Sequence, residues 1–595
     1  GIPWDRGNAD DGWLFKLPRS WTQAGDLHLE AEIDPRGVYD DPNRGNNTLA
    51  GDFVFHYKPP LCIVFMPVRT HAGQGSTDNP HFGSLLDLST RLLPVPYIHN
   101  FIQSTPVEEL EVCLKWGFIP YPCYGPYELW EEGAWYEAWR DDESAVIDSI
   151  ATRWAFSDDP DVCDDAGANT HYVGMVHPNS KTMNGTGGLG RYSSYASWVK
   201  FPPYNTTPPV DYPWTWPDAG NVLPHELGHN YARYHVNCNG PDNIDGGYPY
   251  YDQNGESCKL DDGELTAFST HFGFDINSLT PIKPDVAADL MSYGSRIWIS
   301  DYTWEALFSR VDEPTMLMAD SRPRPASPER VDLASSDSVV VVSGIITPSA
   351  SQGRLNHAWV YPTNGVSNRV LQKWQTIAAP SVRIAAAPPP TQYLLRLLDA
   401  NGVTLDDRAF APELIFDGSS EDKKSGFMLS FPAPDVPVAQ IDLLIYSTVV
   451  DSLHPGENTP SVQILQPAGG ETFDDQMTIV WQATDSDIDD RLLYNVQYSP
   501  DQGQTWHALV TNWPGLPDAD TVTLTLDSLM GVPASTTGGL VRVAASDGYN
   551  TGIATSSSFV VSNRPPQPYI VSPAPDQLFE AGQIVMLRGG AGDTM

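Results

Sequence analysis

Apolar residues follow different spacings in different stretches of this chain. Pro59-Pro60 lead into Leu61-Cys62-Ile63-Val64-Phe65-Met66, a continuous apolar run that predicts a strand buried on both faces. His171-Tyr172-Val173-Gly174-Met175-Val176 reads as a second inner strand. Between them, Trp139, Val146, Ile150 and Trp154 fall at helical spacings among charged residues, which predicts an amphipathic helix within 133–156. Further on, Trp298-Ile299-Ser300-Asp301-Tyr302-Thr303-Trp304-Glu305 looks like the start of a helix capped by Ser300 or Asp301. Elsewhere the period is two. Leu27, Leu29, Ala31 and Ile33 alternate with polar residues, as do Phe53, Phe55 and Tyr57, with Asn46-Asn47 in the turn between. After a proline-rich linker at 322–328 the same alternation returns at Tyr393, Leu395 and Leu397, and again from Phe427 to Phe431. Val480-Trp481-Gln482-Ala483 and Leu493-Tyr494-Asn495-Val496-Gln497-Tyr498 continue it. The expected layout is an α/β domain over 59–320 flanked by β-sandwich modules.

The α/β stretch carries the chemistry. His225-Glu226-Leu227-Gly228-His229 places two imidazoles four residues apart, one turn from each other on a single helix face. Both can reach one metal ion, while Glu226 falls at the edge of that face, suited to deprotonating a metal-activated water. His235 lies beyond the helix and can return as a third ligand. Three protein ligands and one open position describe a hydrolytic zinc site. Glu256 and Glu264 are the alternative third ligands, but neither gives His235 a role.

Together with a second element, Asp289-Leu290-Met291-Ser292-Tyr293-Gly294, this pattern resembles the metzincin class of zinc endopeptidases. The resemblance implies a metzincin-like catalytic domain: a twisted mixed sheet, an active-site helix and a methionine-bearing turn. It makes His225, His229 and His235 the ligands of one catalytic zinc ion, Glu226 the general base and Met291 the hydrophobic floor beneath the metal. Tyr293 corresponds to a tyrosine that faces the zinc in several members. The family's motif has a glycine where this chain has Ala232, and a left-handed backbone costs alanine roughly 1–2 kcal/mol. Gly188, Leu189 and Gly190 fall where metzincins keep the edge strand that pairs with an extended peptide.

The flanking modules resemble immunoglobulin-like domains: 1–58 the end of one, 321–458 a second, 459–563 an immunoglobulin/fibronectin-like third, and 564–595 the start of another. The layout is similar to that of large secreted bacterial zinc proteases, some of which attack mucin-type glycoproteins. A protein or glycoprotein substrate is therefore expected, with the modules tethering catalysis to a cell surface or polymer.

Composition sets the surroundings. The 595 residues carry 75 acidic against 34 basic side chains, a net charge of -41, which argues against nucleic acid as a partner, because phosphate binding needs a basic surface. Asp485, Asp487, Asp489 and Asp490 make one loop a calcium candidate. Ser499-Pro500-Asp501-Gln502-Gly503-Gln504-Thr505-Trp506 resembles the Asp-box of sialidases, but a propeller needs repeats and this is one copy, so a hairpin turn is expected. No run approaches the roughly 20 apolar residues of a membrane span. All 6 cysteines lie within 62–258. Cys238 and Cys258 flank a Gly/Asn/Asp-rich loop and read as a disulfide; Cys62, Cys113, Cys123 and Cys163 leave three pairings open, or a free Cys62. The chain opens without a methionine and reads as a piece of a longer secreted, extracellular bacterial protein. The competing function is a non-catalytic adhesin, binding carbohydrate or protein on a retained protease scaffold.

Overall fold

The computed structural model describes residues 15, 17–70, 73–77, 79, 81–103, 107–108, 112–115, 119–122, 143–158, 163, 170–180, 187–201, 220–261, 271–311, 338–363, 366, 392–416, 423–487, 492–514, 521–529, 531–565, 567–572 and 587–592. Trp139, the linker at 322–328, Glu264, Asp489, Asp490 and Cys123 lie outside them, as does the side chain of Cys113. The described residues are mostly strand, distributed over many small sheets.

The first two strands, β1 (Gly25–Glu32) and β2 (Thr48–Phe55), pair antiparallel along their full length. Their alternation reflects strand structure without a covered face among the described residues, since Leu49, Phe53 and Val54 are all more than half exposed.

The apolar run then forms β3 (Leu61–Thr70), the central strand of a mixed sheet. After helix α1 (Phe82–Leu92), β4 (Ile98–Ile102) lies parallel to β3. Helix α2 (Glu143–Ala155) precedes β5 (Thr170–Val176), which pairs parallel on the other flank of β3. The short β6 (Gly188–Gly190) and β7 (Ala196–Lys200) complete the layer, with β7 parallel to β5 and β6 antiparallel to β7 at the edge. Helix α3 (Val222–Asn230) carries the histidine pair, and α4 (Asp301–Phe308) comes after the methionine turn. Ser300 is the cap of α4, accepting the Thr303 amide on its hydroxyl.

The continuous apolar pattern of β3 has a physical cause: both faces of its sheet are covered. Ile63 and Phe65 face α1 and α3, packing with Leu85, Leu88, Leu223 and Leu227. Val64, Met66 and Val68 face α2, packing with Val146, Ile150 and Trp154. That second core does not stop at α2. It continues through Val339, Val341, Trp359, Tyr361, Ile415 and Met428 of the next region, and touches Ala508 and Ala544 of the one after.

Those two regions are each built from facing antiparallel sheets. In 338–453 the strands Ser338–Thr347 and Ser425–Pro432 face Tyr393–Leu398 and Gln440–Ile445 across a core that includes Val340, Leu395, Phe427 and Leu443. In 461–561 Met477–Thr484 and Thr521–Leu526 face Leu493–Ser499 and Leu540–Ser546 around Trp481, Val496 and Val543. The Ser499–Trp506 stretch is the turn between two strands of this second pair. Asp501 holds it by accepting from the Gln504 and Thr505 amides at 3.0 and 2.9 Å. The turn docks on the α/β region, where the Trp506 amide donates to Asp158 at 2.9 Å. Two last strands, Gln567–Ser572 and Arg588–Gly592, pair antiparallel, and the first of them packs against α1.

Among the described residues, two disulfides tie the α/β region. Cys62 is joined to Cys163, which removes both the free-thiol reading of Cys62 and two of the three open pairings, and Cys238 is joined to Cys258.

Candidate metal centre

The site is assembled by α3 and by the loop that leaves its C-terminal end. His225 and His229 share a face of α3, and His235 returns from that loop. The turn between begins at Ala232, whose φ of 60° is left-handed. It is held by the Ala232 and Arg233 amides, which donate to the carbonyls of His229 and Gly228 at 2.9 Å each. His235 is then clamped by main-chain bonds to Asn243 and Asp245. Its ring, fully buried, lies with the other two, so neither Glu256 nor Glu264 is needed to complete the set.

The hydrogen bonds of the rings select the tautomer of each neutral ring. Nδ1 of His225 meets the Leu290 carbonyl at 2.8 Å, Nδ1 of His229 meets the Arg233 carbonyl at 2.8 Å, and Nδ1 of His235 meets the Asp242 carbonyl. A carbonyl only accepts, so each Nδ1 carries a proton, and in the neutral ring each Nε2 presents a lone pair. Yet the Nε2 atom of His229 lies 3.2 Å from that of His225 and 3.1 Å from that of His235. Three lone pairs facing one another repel unless a cation sits among them. Tetrahedral zinc–imidazole bonds of about 2.0–2.1 Å put neighbouring nitrogens about 3.3 Å apart. The donor set fits zinc in both chemistry and spacing.

Glu226 is 2 % exposed and projects beneath the edge strand. A Cβ on Gly188 would stand 2.4 Å from one of its carboxylate oxygens, and one on Gly190 would stand 2.9 Å from the other. The two glycines of β6 are what let the carboxylate and the strand share this space. Leu189 between them points into the core.

Met291 is buried below the histidines. A Cβ on Gly228 would lie 2.4 Å from its sulfur, so the helix can only pass over the methionine with glycine there. Its carbonyl accepts the Val236 amide at 2.8 Å, joining the turn to the residue after His235. Tyr293 is 42 % exposed, its ring centroid 5.2 Å from that of His235 and 6.2 Å from that of His225.

Several supporting residues carry no motif signal. Asp289, fully buried, accepts from the Met291 amide at 2.9 Å, the Thr303 hydroxyl at 3.0 Å and the Ser300 amide at 3.0 Å, tying the methionine turn to α4. Asn230 donates to the carbonyls of Arg191 and Ala196 at 2.9 Å each, locking the end of α3 to the β6–β7 turn. Phe416, from the neighbouring sandwich and also fully buried, stacks on His229 at 4.4 Å and 10°. A phenylalanine ending the short apolar run Leu414-Ile415-Phe416 gives no hint of this; 187 positions of chain separate the partners.

A second cluster lies far from this one in sequence. Carboxylate oxygens of Asp485, Asp487 and Asp547 come within 4.8 Å of one another. Asp547 comes from a different loop, and no spacing in the sequence ties it to the other two.

No family model matches this chain, and no curated protein matches it. Among solved structures, the fibronectin(III)-like modules of CbhA from Clostridium thermocellum align with 30% of this chain and 82% of their own length, at 11% identity and a TM-score of 0.14. At that score the likeness carries no argument about function.

Proposed function

We propose that this chain is a zinc-dependent endopeptidase of the metzincin type, acting on extracellular proteins or glycoproteins. One observation carries the reading: three imidazoles whose Nδ1 protons are held by carbonyls aim three lone pairs at a common point, next to a buried glutamate. Zinc bound there supplies Lewis acidity, polarising a peptide carbonyl and acidifying water to a pKa of about 7. Glu226 accepts the proton from the attacking water and returns it to the leaving amine, and its burial keeps that proton from bulk solvent. The phenol of Tyr293 is our candidate donor to the developing oxyanion. The edge strand β6 offers main-chain groups to an extended peptide. The two disulfides accord with an oxidising, extracellular compartment. No described helix is long and apolar enough to cross a membrane.

Metal analysis of the purified chain should find one zinc per molecule, and casein should be cleaved until a chelator is added. Glu226→Gln should keep the zinc and lose hydrolysis by roughly 10²–10⁴-fold, the usual worth of a general base. A chain that binds no zinc, or a Glu226→Gln variant as active as the parent, ends this reading.

A further inference from the structure

The far end of the edge strand limits how a substrate could lie there, given the endopeptidase reading above. The register of β6 against β7 turns the main-chain groups of Leu189 and Arg191 toward β7, with the Arg191 amide bonded to Ala196, and turns those of Gly188 and Gly190 outward. An extended peptide would pair with the outward set. Beyond Gly188 that set is already in use by this chain itself. The Phe416 amide donates to the Gly190 carbonyl at 3.0 Å, the Tyr192 amide donates to the Leu414 carbonyl at 2.9 Å, and Arg191 and Ile415 form an antiparallel bridge between them. Residues 414–416 therefore lie along the strand edge in the manner of a bound peptide.

We propose that Glu413–Phe416 is a fixed wall closing the Arg191 end of the substrate groove, so that a substrate can pair with the outward groups of Gly188 but not with the Gly190 carbonyl, and must end or turn away there. The alternative is a displaceable autoinhibitory strand, and the anchoring argues against it. Arg191 is 1 % exposed, forms an ion pair with Glu413 at 2.7 Å and faces Asp148 at 3.6 Å. Lifting the segment would leave that buried guanidinium with only the more distant of its two carboxylates. Gly426, paired with Glu413 in the sandwich, has no Cβ because one would stand 2.8 Å from the Arg191 guanidinium, so the neighbouring sheet is shaped around the same ion pair. Ile415 belongs to the core that the two regions share, and Phe416 is held between His229, Tyr192 and Tyr234. Leu414 and Glu413 are the partly exposed face of the wall.

The expected consequence is an asymmetric dependence on substrate length. A casein peptide that the enzyme cleaves is shortened residue by residue from each end, and kcat/KM is measured. Trimming on the walled side down to two residues should change kcat/KM by less than about twofold, while trimming on the other side should lower it by roughly tenfold for each main-chain pairing lost. An equal, tenfold-scale loss from both ends overturns the wall and leaves the endopeptidase reading standing. An absence of any zinc-dependent cleavage sinks both. A second measurement does not depend on turnover. In Glu226→Gln loaded with zinc, hydrogen exchange of the Tyr192 and Phe416 amides should be slow and should stay within about twofold when uncleaved peptide is added; acceleration beyond tenfold would identify a movable strand instead.

Discussion

The described residues hold two clusters of metal-competent side chains, and they differ in what their hydrogen bonds leave over. In the imidazole cluster every bond to a backbone carbonyl is made on the Nδ1 side, so the three Nε2 lone pairs are left to converge. In the carboxylate cluster most oxygens are already acceptors. Asp547 takes the amides of Tyr549, Asn550 and Gly456, and Asp487 takes the Asn458 amide and side chain. Asp485 uses one oxygen for the Asp487 amide and buries the other without a hydrogen-bond partner. Proximity of donors is common to both. What separates them is the direction in which the surrounding backbone leaves the lone pairs.

The sharpest way to break that contrast is to remove one ligand from each. His235→Ala should weaken zinc binding by roughly 10³-fold, about a quarter of the binding free energy typical of a four-coordinate site. Asp487→Asn should leave zinc stoichiometry untouched. Competition with a chromophoric chelator reads both. Equal zinc affinity in His235→Ala and the parent would remove the convergence argument.

A buried imidazole with no such company provides the next comparison. His507 sits in the second sandwich, and burial pushes its pKa down to about 4, with Asp501 pulling slightly the other way. Proton counting gives the sign. The unfolded ring, near 6.5, binds a proton before the folded one does, so stability is full above that value and is lost as pH falls toward 4. Each pKa unit is worth about 1.4 kcal/mol, which makes the loss on the order of 3 kcal/mol. Urea melts at pH 7 and pH 4.5 should show a smaller decline in His507→Gln than in the parent; an identical decline would dissociate this ring from the acid sensitivity.

Ala232 tests the turn that delivers His235. Relieving its left-handed strain by Ala232→Gly should stabilise the chain by about 1 kcal/mol, since the 1–2 kcal/mol of strain is partly offset by glycine's greater unfolded entropy. That corresponds to a Tm rise of roughly 2–4 °C in a region of this size. A fall in Tm would mean that the methyl group's packing outweighs the strain.

These contrasts also mark what local sequence can and cannot carry. The i, i+4 histidines, the double-sided burial of Leu61–Met66 and the Ser300 cap are short-range patterns, and each states its geometry within a few residues. The left-handed turn at Ala232 is legible for the same reason, as a departure from glycine in a fixed motif. Residues that act across long loops leave no such trace. Phe416 on His229, Glu413 on Arg191, Cys163 on Cys62 and Asp547 beside Asp485 are all tertiary meetings, set by how one sheet face seats on another. Alternation alone misleads about β1 and β2, because a strand's period is set by its backbone and does not report whether anything covers it.

The smallest expected effect belongs to calcium. Burial raises the pKa of Asp547, so its charge is a cost in the folded chain, whereas bonds from the Asn458 amide and side chain lower that of Asp487. The two act with opposite sign, and only the first gives a cation something to relieve. With a dissociation constant in the millimolar range typical of extracellular modules, about 10 mM calcium would add about 1.4 kcal/mol. Because most oxygens here are already bonded, we expect less, a Tm rise of under about 2 °C that Asp485→Asn abolishes. A rise several times larger would show that Asp485's buried oxygen outweighs its neighbours' bonds. The carboxylates would then stand level with the imidazoles as a built metal site.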